Sequence, residues 1–231
     1  MRIGYDAKRI FHNASGLGNY SRDLVRILAS RYLEDSFHIY NPKNAKQNLW
    51  KALPNTTTHK PKGIWKWLHS IWRQGPISRQ LKKDKIDVYH GLSGELPNGL
   101  NIPSVVTVHD LIFYRYPELY NPIDVFIHKR KIRYAAHKAT QVVAISEQTK
   151  ADLVEYTGIA ASKIKVIYQG CHPIFKTTFT KKVLKSIAEK YNLPKKYILF
   201  VGTLEDRKNA LFIAEALEKT SREIYTGAIG M

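Results

Sequence analysis

Short apolar runs rich in β-branched and aromatic residues alternate along the chain with longer stretches whose apolar residues recur at helical spacing. After a short strand at the very N-terminus, the predicted strands are His38–Tyr40, Ile86–Gly91, Pro103–Asp110, Gln141–Ser146, Lys163–Gly170 and Lys196–Gly202. The predicted helices include Tyr20–Ala29, Ile123–Lys138 and Glu147–Tyr156. This alternation predicts an α/β fold, a doubly wound parallel sheet with helices on both faces.

The strand pattern also predicts the domain organisation. Residues 1–172 are expected to form a first, Rossmann-like domain, and residues 173–195 an interdomain linker with one helix. Residues 196–231 open a second Rossmann-like domain, with one strand and one helix, "NALFIAEALEK", predicted in it. Because a single strand and helix cannot bury their own apolar face, this second domain is expected to be incomplete.

Charge narrows the choice of partners. The 231 residues include 37 Lys and Arg against 19 Asp and Glu, a formal net charge of +18. Such a chain favours an anionic neighbour: nucleic acid, a phospholipid surface or a phosphate-bearing substrate. For nucleic acid the charge is the only support, because the sequence contains no recognised DNA-reading helix and no aromatic sheet motif. No nucleic-acid partner is therefore predicted.

The compartment is predicted from what the N-terminus and the cysteine count exclude. A single cysteine, Cys171, excludes an internal disulfide and a cysteine-based zinc cluster. The first residues, "MRIGYDAKRI", contain no signal-peptide core, and no apolar run is long enough to span a bilayer. The expected location is therefore cytoplasmic.

A glycine-rich loop, "SGLGNYSRDL", follows the first strand and opens a helix. Gly16 and Gly18 could adopt positive φ angles and bring the backbone close to a phosphate or a sugar at the helix N-terminus. The alternative is a tight turn that needs glycine only for its geometry, and spacing alone favours it. A nicotinamide-dependent enzyme is disfavoured because the third glycine and the acidic residue of the dinucleotide fingerprint are missing.

Polar residues end two of the predicted strands. "SVVTVHD" delivers His109 and Asp110 to the carboxyl edge of the sheet, where such folds bind ligands. His109 could bond a substrate hydroxyl or transfer a proton, with Asp110 setting its tautomer. A structural role at the strand end is equally consistent. His90, at the end of "IDVYH", is a weaker candidate for the same crevice.

Two further motifs are basic. In "GTLEDRKN", Arg207 and Lys208 stand at a helix entrance, where they could bind a diphosphate or remain solvated surface cations. The second motif is the Trp-rich segment, residues 59–85. A helix over Ile64–Arg73 would place Trp65, Trp67 and Trp72 on an apolar side and Lys66 and Arg73 on the polar side. Such a helix is typical of a membrane-surface anchor, and the alternative is an ordinary core-facing helix.

Together and in this order, six stretches resemble glycosyltransferase family 4, nucleotide-sugar-dependent enzymes of the GT-B fold. The resemblance covers nearly all of residues 2–217. Its stretches are "SGLGNYSRDL", "DVYHGLSGELP", "PSVVTVHDLIFYRYPELY", "AISEQTKADLVEYTGI", "KIKVIYQGCHPIF" and "YILFVGTLEDRKN".

The resemblance implies roles for the site residues. The glycine loop would lie near the donor phosphates and the acceptor, with Gly16, Gly18, Asn19, Tyr20, His90 and Asp110 as substrate-binding residues. His109 would contact the reacting sugars as the catalytic residue, and Arg207 and Lys208 would bind the donor diphosphate. No metal and no cofactor beyond the donor are expected, since the fold stabilises the leaving diphosphate with fixed cations, and the chain has no Asp-x-Asp motif.

The implied reaction transfers a hexose, with mannose as one option, from a nucleotide sugar to a glycan or lipid-linked acceptor in cell-envelope polysaccharide synthesis, with retention of configuration. The protein would act as a peripheral protein at the inner membrane face. The family's late glutamate motif is not reached, and Thr203 stands where some members carry arginine. Little transferase activity is therefore expected of this chain. The alternative function is a basic, Trp-rich membrane-binding module without catalysis.

Overall fold

The computed structural model describes residues 1–44, 48–219 and 225–229. The chain divides into two compact units, residues 1–170 and residues 171–231. The predicted division into a first domain, a linker and a second domain, with boundaries at residues 172 and 195, stays a prediction.

Unit 1 is built on a seven-stranded, entirely parallel sheet. Its strands are β1 (Arg2–Asp6), β2 (Ser36–Tyr40), β3 (Thr56–His59), β4 (Val88–Gly91), β5 (Ser104–Val108), β6 (Gln141–Ala144) and β7 (Ile164–Val166). They lie in the order β3-β2-β1-β4-β5-β6-β7, so the direction of winding reverses between β1 and β4. The predicted doubly wound α/β fold is confirmed, and its switch point, where such sheets bind ligands, lies at β1 and β4.

Helices cover both faces of this sheet. They are α1 (Lys8–His12), α2 (Gly16–Arg31), α3 (His69–Gln74), α4 (Ile77–Lys83), α5 (Ile112–Arg115), α6 (Pro122–Lys138) and α7 (Glu147–Thr157). Ile39 belongs to the buried cluster under α2, whereas its neighbour Tyr40 packs with α3 and α4. Successive strand side chains point to opposite faces, so α2 lies on one face and α3 and α4 on the other.

Local sequence explains where α6 and α7 begin and where α7 ends. Pro122 opens α6 at a position where its missing N–H costs nothing, and the Asn121 side chain accepts a hydrogen bond from Ile123 N at 2.9 Å. Ser146 caps α7 in the same way, accepting from Thr149 N at 3.0 Å. Gly158, with a φ of 73°, ends α7 in the left-handed conformation that glycine adopts without strain.

Two expectations for unit 1 are corrected. Strand β3, "TTTH", was not among the predicted strands because its polar residues lack an apolar run; it pairs as the last strand of the sheet. The continuous helix predicted over Ile64–Arg73 is also wrong. Trp67 and Leu68 separate a 3-10 turn, Gly63–Lys66, from α3, and the ψ of Leu68, 38°, is not helical.

Unit 2 contains α8 (Lys181–Lys190), β8 (Tyr197–Val201), α9 (Ala210–Glu218) and β9 (Tyr225–Ile229). The helix predicted in the linker corresponds to α8, and the helix predicted after the last strand corresponds to α9. The expectation of a single strand is wrong, since β9 pairs with β8 in parallel. The other residues of the C-terminal stretch "SREIYTGAIGM" lie outside the described residues.

The different environments of two tryptophans generate a stability prediction. Trp72 is 3% exposed and Trp67 is 86% exposed. We expect Trp72→Ala to lower the free energy of unfolding by about 3–5 kcal/mol, because it opens a cavity in the core. Trp67→Ala is the matched control and should change it by less than about 0.5 kcal/mol. Urea denaturation of both variants checks this, and equal losses would contradict the placement of Trp72 in the core.

Candidate functional site at the carboxyl edge of the sheet

The glycine loop is the first turn of α2. Both Gly16 and Gly18 lie inside the helix, and neither adopts the positive φ that the sequence analysis considered. Gly18 is needed for a different reason: a Cβ built there would lie 1.8 Å from the backbone oxygen of Asn13. A Cβ at Gly16 would meet nothing within 4 Å. The close approach at Gly18 is therefore to the protein's own backbone.

The loop before α2 is held by Asn13 and Arg22. The side-chain oxygen of Asn13 accepts hydrogen bonds from Ser15 N, Ser15 Oγ and Gly18 N at 2.8–3.0 Å. Arg22 donates to the backbone oxygens of Ile10 and Asn13, at 2.9 and 2.8 Å. A second Arg22 nitrogen donates to the side-chain oxygen of Asn19 at 2.6 Å. These bonds fix the N-terminus of α2 against α1 and the loop that joins the two helices.

His109, Tyr20 and His90 come together around Thr107. The hydroxyl of buried Thr107 lies 2.8 Å from His90 Nε2 and 3.1 Å from the Tyr20 hydroxyl. The Tyr20 ring meets the His109 ring edge to face, with centroids 4.7 Å apart. The chain thus brings three of the predicted site residues into one cluster, which lies where β4 and β5 end.

Hydrogen bonds assign the tautomer of His109. Its Nε2 lies 3.0 Å from the backbone oxygen of Leu92, which can only accept, so Nε2 carries the proton. Its Nδ1, 2.9 Å from the Gln169 side-chain nitrogen, is then the acceptor. Burial lowers the pKa of His109, while the Leu92 oxygen and Asp110 oppose that shift. The ring is neutral near pH 7, and a substrate reaches Nδ1 only if the exposed Gln169 moves. The catalytic assignment of His109 stays a prediction.

Asp110 lies apart from this cluster. Its side chain is exposed, and its carboxylate accepts a weak hydrogen bond of 3.4 Å from Ile112 N at the start of α5. Both ring nitrogens of His109 bond other residues, so the structure does not show Asp110 setting the tautomer of His109.

The structure adds residues that sequence reasoning did not single out. Thr107 and Gln169 contact His90 and His109, and Asn13 holds the loop. Arg9 follows β1 at the same edge and helps to lower the pKa of His109; within the described residues, its buried Nε makes no hydrogen bond. Of these four residues, only Arg9 could have been identified from the sequence, because it is a cation three residues after the first strand and so lies near the ligand-binding edge of the sheet.

The diphosphate candidates lie in unit 2. Arg207 and Lys208 belong to a 3-10 turn, Asp206–Lys208, between β8 and α9. Lys208 is exposed, and its backbone N–H donates to the Glu205 oxygen at 2.8 Å. The side chain of Arg207 lies outside the described part of the structure. Their diphosphate role stays a prediction.

The structure corrects the predicted membrane-contacting set. Trp67 and Lys66 are exposed, whereas Trp65 packs partly against the core and Trp72 lies within it. The Arg73 side chain is only 10% exposed and donates hydrogen bonds to Asp6 and Glu95. Trp72 and Arg73 therefore cannot contact a membrane in this fold, because the break at Leu68 turns α3 toward the sheet. Within the described residues, no helix is long and apolar enough to cross a membrane.

The fold and this edge define an α/β protein of the Rossmann-like class, with polar side chains gathered at the switch-point edge of a parallel sheet. The sequence model of Glycosyltransferase Family 4 matches residues 14–173, more than half of the chain. The chain belongs to this family, as the sequence motifs implied.

Known proteins are similar along most of the chain. The O-antigen chain mannosyltransferase B of Escherichia coli is 26% identical; the alignment covers 94% of this chain and 60% of that protein. The chain thus spans about 60% of the length of this curated relative.

Solved structures share the fold. Sucrose-phosphate synthase from Thermosynechococcus elongatus matches with a TM-score of 0.73 and 16% identity, covering 100% of this chain and 62% of that one. Anabaena HepE in complex with UDP-glucose matches with a TM-score of 0.67 and 12% identity, covering 99% and 60%. At such identities the likeness is one of fold, and it confirms the predicted GT-B type of architecture.

The contrast between the two loop glycines can be tested by substitution. We expect Gly18→Ala to lower the free energy of unfolding by about 1–3 kcal/mol, since the new Cβ forces the Asn13 backbone away. Gly16→Ala should be neutral or stabilising by up to about 1 kcal/mol, because its Cβ enters open space. Urea denaturation measures both, and equal effects would contradict the close contact at Gly18.

His90 makes stability depend on pH. Burial, together with the nearby His109, lowers the pKa of His90 to about 4, whereas an unfolded histidine titrates near about 6.5. Between these values the unfolded chain binds more protons than the folded one. The free energy of unfolding therefore falls as pH drops from about 6.5 to 4, by at most about 1.4 kcal/mol per pH unit for this residue.

The measurement is urea denaturation at pH 7, 6 and 5, with His90→Gln as the comparison. Glutamine keeps a neutral hydrogen-bonding group but does not titrate, so its pH dependence should be flatter. His38, His59 and His109 also have lowered pKa values and leave a residual slope in both proteins. Parallel curves for the two proteins would show that His90 does not carry the effect.

Proposed function

We propose that this chain takes part in transferring a hexose from a nucleotide diphosphate sugar to a glycan or lipid-linked acceptor, in cell-envelope polysaccharide synthesis. The observation that carries this proposal is the cluster of His109, Tyr20 and His90 beside the glycine turn at the switch point. A sheet edge of this kind binds a compact polar ligand through hydrogen bonds and ring contacts. A sugar has the matching chemistry, since it offers hydroxyl groups to these side chains.

Relatives support the donor and the sugar. The similar Escherichia coli protein is named a mannosyltransferase, which favours mannose as the hexose. The similar Anabaena structures contain UDP or UDP-glucose, which favours a nucleotide diphosphate donor. We expect retention of anomeric configuration and no metal requirement, because the resemblance to this family implies both.

Lys208 and Arg207 are the proposed diphosphate ligands. Cleavage of a sugar–phosphate bond leaves negative charge on the diphosphate, and cations held beside it stabilise that charge. Lys208 is suited to this role because it stands, exposed, between a strand and a helix.

His109, in unit 1, is proposed to position the sugar by hydrogen bonding rather than to transfer a proton, because its hydrogen bonds fix its tautomer.

We further propose that the protein works at the cytoplasmic surface of the inner membrane as a peripheral protein. Its net charge of +18 favours an anionic surface, and Trp67 and Lys66 are exposed on the segment that precedes α3. The competing function, a membrane-binding module without catalysis, is supported by the same surface. Binding of a nucleotide sugar separates the two.

The test is calorimetric titration of the chain with GDP-mannose and with UDP-glucose. We expect saturable binding of at least one donor, weakened about tenfold or more by Lys208→Ala, since a charge-assisted contact to phosphate is lost. Lys196→Ala is the matched control, because it removes an exposed lysine of the same unit just before β8. This variant should bind the donor as tightly as the unchanged protein. A folded chain that binds neither donor, or equal losses in both variants, would overturn the proposal.

A further inference from the structure

A cavity of about 780 Å³ lies in unit 1, apart from the His109 cluster. Its lining includes Arg73, Tyr89, Glu95, Arg130, Lys131 and Tyr134. Tyr5 pairs with His90 across β1 and β4, so their neighbours Asp6 and Tyr89, which also line the cavity, point to the opposite face. The cavity and the His109 cluster therefore lie on opposite faces of the sheet and share strand β4.

The charges of the cavity wall are unbalanced toward positive. Both carboxylates, Asp6 and Glu95, bond the buried Arg73, and Glu95 also lies 3.4 Å from Lys131 Nζ. Arg130 is exposed and has no ion-pair partner in the part of the chain that the structure describes. A single anionic group entering beside Arg130 and Lys131 would match this excess charge.

Apolar side chains stand exposed on the two elements that form the walls. Phe126 and Ile127 of α6 line the cavity and are 67% and 40% exposed. Helix α3 contributes Ser70 and Gln74 to the lining. Ile71 of the same helix and Trp67, which precedes it, are also exposed. Exposed aromatic and aliphatic side chains beside lysine and arginine are typical of protein surfaces that enter the headgroup region of anionic membranes.

We propose that this cavity binds the phosphorylated headgroup of a membrane lipid, with the phosphate at Arg130 and Lys131. Phe126, Ile127 and Trp67 would contact the apolar part of the same bilayer. A free phosphate or a nucleic acid would not contact these exposed apolar side chains. Their combination with the two basic residues therefore favours a lipid. This inference rests on the proposed membrane association and gives it a defined site.

The experiment uses the full chain and dihexanoyl phosphatidylglycerol, a short-chain lipid that is soluble as single molecules, in calorimetric titration. Arg130→Gln is expected to weaken binding about tenfold or more. Arg133→Gln is the matched control, because it removes the same exposed charge from α6 but does not line the cavity, and its affinity should change less than about twofold. Sodium phosphate at the same concentrations should give no comparable binding.

Each other outcome overturns the inference. Equal losses in the two variants would indicate a diffuse basic surface, and equal binding of sodium phosphate would indicate a simple anion site. Absence of lipid binding by the folded chain would exclude the site. The nucleotide-sugar titration, repeated on Arg130→Gln, should be unchanged, so a failure here is distinguishable from a failure of the proposed glycosyl transfer.

Discussion

The ion pair between Arg73 and Asp6 holds the switch point together. Arg73 donates to both carboxylate oxygens of Asp6, at 3.0 and 2.5 Å, and to Glu95 at 2.6 Å. It thereby joins the end of β1, helix α3 and the connection after β4. Burial favours a raised pKa for Asp6, but the Arg73 guanidinium, with the Lys8 N–H bond, holds that pKa below its usual value. Loss of one partner from such a buried pair costs about 3–5 kcal/mol, because the other charge is left alone.

Both proposed binding surfaces depend on this one junction. With β1 and β4 held in register, His90 and Tyr5 face α2, and Asp6 and Tyr89 face α3. The first face carries the hydroxyl and imidazole groups suited to a sugar, and the second carries the basic cavity with its apolar rim. In the proposed reaction a membrane-bound acceptor and a soluble donor would approach from different directions, and a sheet with two distinct faces at one edge would suit both.

The sequence was sufficient for the sheet because buried parallel strands are continuous apolar runs, and it missed β3 because "TTTH" is polar. It placed His109 and His90 correctly at strand ends, since the carboxyl ends of parallel strands share one edge. It could not identify Thr107 or Gln169, because their contacts join residues 17 and 60 positions apart. It treated Gly16 and Gly18 alike, whereas only the backbone of Asn13 distinguishes them.

The basic residues show why a charge count overstates a surface. Arg73 and Lys66 were assigned to the same polar side of one helix, yet the break at Leu68 buries Arg73 against two carboxylates and leaves Lys66 in solvent. A paired guanidinium contributes little field outside the protein, because its charge is neutralised within a few ångströms. An anionic partner therefore binds to the unpaired cations. Arg130 is one of these, and it lines a cavity. The feature that favours a lipid is thus the position of a few unpaired cations beside exposed apolar side chains rather than the total charge.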